Sequence, residues 1–168
     1  MNLAKLALLL FIAGIFSACS KNDQTAEKKF HGMWSLDKYE TLVASGKWIP
    51  DTAFIGATGH IMYDGKGHMG VQINRKGYKD FDVSKNIDSL DMKNLKDLAK
   101  LYRSNFTYMA EYKITGTNTI EHKKFSATNP MDWGTTVTRE FEFKGDTLIL
   151  TPKEMVNENK DRLIWIKN

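Results

Sequence analysis

The sequence predicts an all-β chain, an eight-stranded antiparallel up-and-down β-barrel with one inserted amphipathic α-helix. Three observations predict it. From Phe30 onward, apolar residues recur at every second position in short runs bounded by turn residues. Three of those boundaries carry glycine: Asp64-Gly65-Lys66-Gly67, Gly116-Thr117-Asn118 and Lys144-Gly145-Asp146. Glycine supplies the positive φ of a tight turn, so each joins its flanking runs as a hairpin. One stretch, 88–104, instead has helical spacing.

The chain has 168 residues, one cysteine, and 24 Lys+Arg against 20 Asp+Glu, a net charge of +4. That length fits one domain. No dense Lys/Arg stripe is present, which argues against a nucleic-acid partner. A single cysteine excludes an intrachain disulfide and a cysteine-rich zinc site.

The N-terminus reads as an address. Residues 1–18 hold Lys5, an apolar run from Leu6 to Phe16, and the small residues Ser17 and Ala18 before Cys19. The run is far shorter than the roughly 20 residues that cross a bilayer as a helix. Phe16-Ser17-Ala18-Cys19 resembles the bacterial lipobox. The resemblance implies that Cys19 is acylated, becomes the first mature residue and anchors the chain to a membrane. Ser20 is not the aspartate of an inner-membrane retention signal, so the expected address is the cell envelope at the outer membrane. Residues 19–29 are polar after the cysteine and are expected to form a flexible tether. The domain is then 30–168.

Eight strands follow in order: Gly32–Glu40, Gly59–Tyr63, His68–Ile73, Phe106–Thr115, Thr119–Phe125, Thr135–Phe143, Thr147–Leu150 and Arg162–Lys167. Eight antiparallel strands suffice to close a barrel and remove exposed edges. The helix Asp88–Ser104 sets Leu90, Leu95, Leu98, Ala99 and Tyr102 against a face of Lys93, Lys96, Asp97, Lys100 and Arg103. Asp88 or Ser89 caps its start. It serves either as a lid over an open end or as an outer brace.

Chemistry is sparse. The four histidines are His31, His60, His68 and His122. His60 and His68 lie on opposite arms of the first hairpin, too far apart to share a zinc ion, so no metal and no cofactor is expected. No Gly-x-Ser-x-Gly turn, phosphate loop or forced carboxylate pair occurs, so no catalytic residue is assigned.

Arg139 is the most informative position. Val137, Arg139, Phe141 and Phe143 share the apolar face of their strand, which carries the guanidinium inward. A charge in an apolar interior needs a partner. Three are open to it: water, an internal carboxylate or tyrosine, or an anionic ligand, which arginine's planar fork binds with two hydrogen bonds. Tyr108 and Tyr112, His122, and Met69 with Val71 lie on faces compatible with the same interior. Together they give a few polar tips on apolar walls, as in a small-molecule pocket, or else a filled core. Trp133 falls in the loop 129–134, at a rim or packed on the barrel end.

Several motifs also resemble a known family. Gly32-Met33-Trp34 on the first strand resembles the Gly-x-Trp of lipocalins. The order of Gly32–Leu36, Gly59–Tyr63, Gly67–Gln72, Tyr108–Ile114, Ile120–His122, Arg139–Leu150 and Arg162–Trp165 resembles the bacterial lipocalin-like domain family. The resemblance spans residues 30–168. It implies a calycin-type barrel with an internal cavity and no established reaction. It also implies that Trp34 closes the narrow end beneath a basic residue of the last strand, for which Arg162 is the candidate.

The expected function is binding of a small hydrophobic or amphipathic molecule with a polar or acidic end. Arg139 would anchor that end, Tyr108, Tyr112 and His122 would orient it, and Met69, Val71, Val137 and Phe141 would form walls. Two alternatives stand beside it. One is an isomerase- or cyclase-type barrel enzyme. The other is a solid-barrel envelope interaction protein.

Overall fold

The computed structural model describes residues 26–80, 87–154 and 160–168. Cys19, the expected signal segment and the start of the expected tether lie outside these residues. Nine strands form one antiparallel sheet: β1 (Gly32–Leu42), β2 (Trp48–Pro50), β3 (Thr58–Tyr63), β4 (His68–Asn74), β5 (Phe106–Gly116), β6 (Thr119–Ala127), β7 (Thr136–Lys144), β8 (Thr147–Pro152) and β9 (Lys160–Lys167). Each of β3 to β9 pairs with the next, β1 pairs with β3, and β1 pairs again with β9. Eight strands therefore close an antiparallel barrel in the expected order.

β2 is an addition. Its three residues pair only with the far end of β1, Glu40↔Pro50 to Leu42↔Trp48. A run that short carries no period-two signal. The β3–β4 hairpin loop is also one residue longer than Tyr63 pairing with His68 would give, since Tyr63 opposes Met69. Its turn uses Gly65 and Gly67 at φ +70 and +95. Asp64 Oδ1 accepts from Lys66 N and His68 N at 2.7 and 2.9 Å, satisfying backbone donors the turn leaves free.

Two β-bulges reset which side chains face inward. In β1 the register shifts between Leu36 and Lys38. Trp34 and Leu36 point to the core; beyond the bulge Tyr39 and Thr41 do so instead of Lys38 and Glu40. In the β5–β6 pair, Ala110 opposes Lys124 but Met109 opposes Ser126, so Phe125 is the extra residue and is turned out to solvent.

One end of the barrel is solid. Residues 26–30 are helical, which corrects the expectation of tether up to residue 29. The helical turn drives Phe30 into the barrel mouth, fully buried, with its ring 4.8, 5.0 and 4.9 Å from those of Tyr63, Phe141 and Phe143. Trp34 Nε1 donates to the Phe30 carbonyl at 2.8 Å and ties plug to wall. The basic residue over Trp34 is Lys167, with Nζ 4.8 Å from the ring, and not Arg162. The register explains the correction, because Trp34 sits opposite Lys167 while Arg162 sits opposite Glu40. Arg162 stacks instead on Trp48 at 4.3 Å and pairs with Glu40 at 2.6 Å.

The helix, α1, runs from Met92 to Ser104. Asp91 caps it, accepting from Asn94 N at 2.8 Å. Asp88 and Ser89, the expected caps, belong to a separate 3₁₀ turn at Ile87–Ser89. None of its residues is fully buried. Its last turn reaches the other barrel end, where Tyr102 Oη donates to the Thr128 carbonyl at 2.6 Å.

Candidate functional site

That other end is hollow. A cavity of about 640 Å³ opens there, bordered by the C-terminal turn of α1, by the loop after β6 and by the barrel rim. Its walls include Phe54, Ile73, Phe106, Val137 and Leu163; its polar groups include Tyr39, Lys124, Asp132, Arg139 and Asp161. Such a volume with a few polar groups on apolar walls suits a small-molecule site, typically about 300–1,000 Å³.

Of Lys124, Asp132, Arg139 and Asp161, all but Arg139 have a partner within the fold. Asp161 accepts from Thr41 Oγ1 at 2.7 Å and Tyr39 Oη at 3.2 Å, an arrangement that exists because the β1 bulge turned Tyr39 and Thr41 inward. Tyr39 stacks face to face on Phe54 at 4.1 Å. Burial, then the charge of Asp161, holds its hydroxyl well above the ordinary tyrosine range. Lys124, nearly buried, is ion-paired with Asp132. Arg139 is the exception. It is 9% exposed, it forms no ion pair among the described residues, and its Nε and Nη1 are buried without a hydrogen-bond partner.

His122 lies beneath this cavity, fully buried, between two tyrosines. Tyr108 Oη is 3.0 Å from its Nδ1 and Tyr63 Oη is 3.2 Å from its Nε2. Burial first, then the charges of Arg139 and Lys124, push the imidazole pKa well below its ordinary value, so the ring is neutral. Burial raises both tyrosines; the Arg139 charge opposes the rise in each.

The expected site residues therefore fall in three places. Arg139 and Val137 line the cavity. Tyr108 and His122 sit directly under it as a hydrogen-bonded pair. Tyr112, Met69, Val71 and Phe141 face inward, but they belong to the filled core and not to the cavity lining. Phe30 occupies that end, and its effect is invisible to strand parity. Tyr112 contacts the plug directly, its ring 6.5 Å from that of Phe30, and burial raises its hydroxyl to about 12. Trp133 is exposed and donates from Nε1 to the Ala127 carbonyl at 2.7 Å, packing back on the end of β6.

Sequence reasoning missed Lys124, Tyr39, Asp161 and Phe54. For Lys124 a signal existed, because Ile120, His122 and Lys124 share one parity. Tyr39 depends on a bulge that simple alternation hides.

The sequence profile described as the Lipocalin-like domain matches residues 31–167. No curated protein matches the chain. Two solved structures are similar over 84% of this chain and 97% of theirs, each with a TM-score of 0.40. One is a single-residue mutant of the fluorescent protein UnaG, at 12% identity. The other is As-p18, an extracellular fatty acid binding protein, at 14% identity.

Proposed function

The chain belongs to the lipocalin-like domain family, and from that premise we propose that it binds a small, largely apolar molecule with one acidic end. The apolar part lies along Ile73, Phe106, Val137 and Leu163; the acid sits on Arg139. One observation carries the reading. Arg139 is a buried cation with two unpartnered nitrogens, in a cavity whose Asp132 and Asp161 carboxylates are engaged elsewhere. An unmade charged hydrogen bond costs more than it would return as a surface contact, so the fold holds a donor fork ready for an anion.

The isomerase- or cyclase-type alternative draws on the perturbed His122 and Tyr108. Both nitrogens of His122 are already engaged and the ring has no exposed surface, which leaves it no face for a substrate. The solid-barrel alternative lacks its filled interior, since the helix end is hollow.

Native mass spectrometry of detergent-free protein tests the binding reading. A 16-carbon fatty acid is expected to bind one to one and to outcompete the 16-carbon alcohol. Equal binding of the two would remove the acid requirement, and no binding of either would remove the carrier function.

The proposed location is the cell envelope, with the acyl chains on Cys19 holding the barrel at the outer membrane. Its support is the lipobox-like stretch alone. Cys19→Ser is expected to move the protein from the membrane fraction to the soluble fraction; unchanged fractionation would refute the anchor.

A further inference from the structure

We propose that Tyr63, His122 and Tyr108 form a polar relay whose direction is set by what sits on Arg139, so that an anion on the guanidinium switches His122 from its Nε2–H to its Nδ1–H tautomer. The ligand half of this rests on the binding reading above; the half concerning the free protein does not.

The relay is closed off from solvent. Tyr63, His122 and Tyr108 are 0%, 0% and 2% exposed, and no other described group bonds the imidazole. A neutral imidazole has one donor and one acceptor nitrogen. One tyrosine must therefore donate to it while the other accepts, and two directions are available. In the first, Tyr108 Oη–H donates to Nδ1, and Nε2–H donates to Tyr63 Oη. In the second, Tyr63 Oη–H donates to Nε2, Nδ1–H donates to Tyr108 Oη, and the Tyr108 proton is left pointing elsewhere.

Electrostatics selects between them. The charge of the Arg139 guanidinium acts on the Tyr108 hydroxyl. Lys124 Nζ, 5.3 Å from the centre of the Tyr108 ring, adds the same sign. A phenol beside a cation turns its oxygen toward the charge and its proton away, here toward Nδ1. The free protein holds the first direction. An anion on Arg139 neutralises that field and offers an acceptor next to Tyr108. The Tyr108 proton then turns to the anion, and the second direction becomes the lower in energy. An anion that binds one state better than the other shifts the equilibrium by that difference.

The proton balance is simple. His122 carries one ring proton in both states and each tyrosine carries its own. The two hydroxyl protons rotate about their C–O bonds. The ring proton exchanges with water admitted by a transient local opening of the barrel: one leaves from Nε2 and one is taken up at Nδ1. Tyr108 thereby becomes the second donor to the acidic head, and His122 and Tyr63 are positioning residues acting through it. This selects an ionised acid over an alcohol, because only the anion repays the reversal of the whole relay.

Long-range proton–nitrogen correlation NMR on nitrogen-15-labelled protein reads the tautomer directly. Free wild type is expected to show Nε2–H at His122. Saturation with a 16-carbon fatty acid is expected to convert it to Nδ1–H. Arg139→Met without ligand is expected to raise the Nδ1–H population, because the field that held the relay is gone. Nδ1–H in the free wild type would overturn the proposal. So would an unchanged Nε2–H in both the saturated complex and Arg139→Met. Should the fatty acid fail to bind, the carrier function falls, while the free wild type and Arg139→Met still decide the relay.

Discussion

Phe30→Ala is expected to lower the unfolding free energy by about 3–5 kcal/mol, the usual cost of deleting a large buried aromatic side chain. Phe30 has no exposed surface and touches aromatic rings from β3, β5 and β7. It also fixes Trp34 through its carbonyl. The ring is the floor of the core, so its loss opens a hole that the stiff sheet around it cannot collapse to fill. Urea unfolding followed by tryptophan fluorescence measures the effect. A loss below about 0.5 kcal/mol, the size of a typical surface change, would mean that the barrel closes without its plug. The residue lies two positions before β1, so trimming the chain to the strands alone would remove it.

The second large effect runs in two directions at once. Arg139→Met is expected to stabilise the free protein by about 1–4 kcal/mol, the range seen when buried charges give way to apolar side chains of similar volume. Two unpartnered nitrogens and the desolvation of a guanidinium are removed, and the methionine chain meets the apolar wall beside Val137. The same change deletes the anchor for an acidic ligand. A substitution that improves the fold and abolishes binding is the mark of a residue kept for function at the expense of stability. If Arg139→Met were destabilising, the guanidinium would be a structural member of the core.

The barrel itself was legible because hairpins announce themselves. Gly65, Gly67 and Gly145 sit at positive φ in the turns where the residue pattern called for them, and period-two runs on either side set the strand order. The amphipathic stretch is equally clear, but its start is not, because several acidic and hydroxyl side chains before Met92 suit a cap; the one that accepts from Asn94 N is Asp91. The site was harder. Arg139 could be placed from parity, since β7 runs without a bulge between Thr136 and Lys144. Tyr39 could not, because the bulge after Leu36 reverses the faces of β1. Nor does parity say how far up the barrel an inward residue sits. Met69, Val71, Tyr112 and Phe141 all face the axis, yet they fall on the side filled by Phe30. That filling comes from a helical turn outside the sheet, in residues whose polar composition resembles a linker. Arg162 and Lys167 show the same limit: both are basic residues of β9, and only the register decides which lies over Trp34.

Isothermal titration of a 16-carbon fatty acid into wild type and Arg139→Met tests the role of the guanidinium most directly. Truncating one partner of a buried charge pair costs about 2–5 kcal/mol. The variant is therefore expected to bind the acid at least about 30-fold more weakly, with the affinity for the matching alcohol unchanged. Equal affinity of the two proteins for the acid would contradict it.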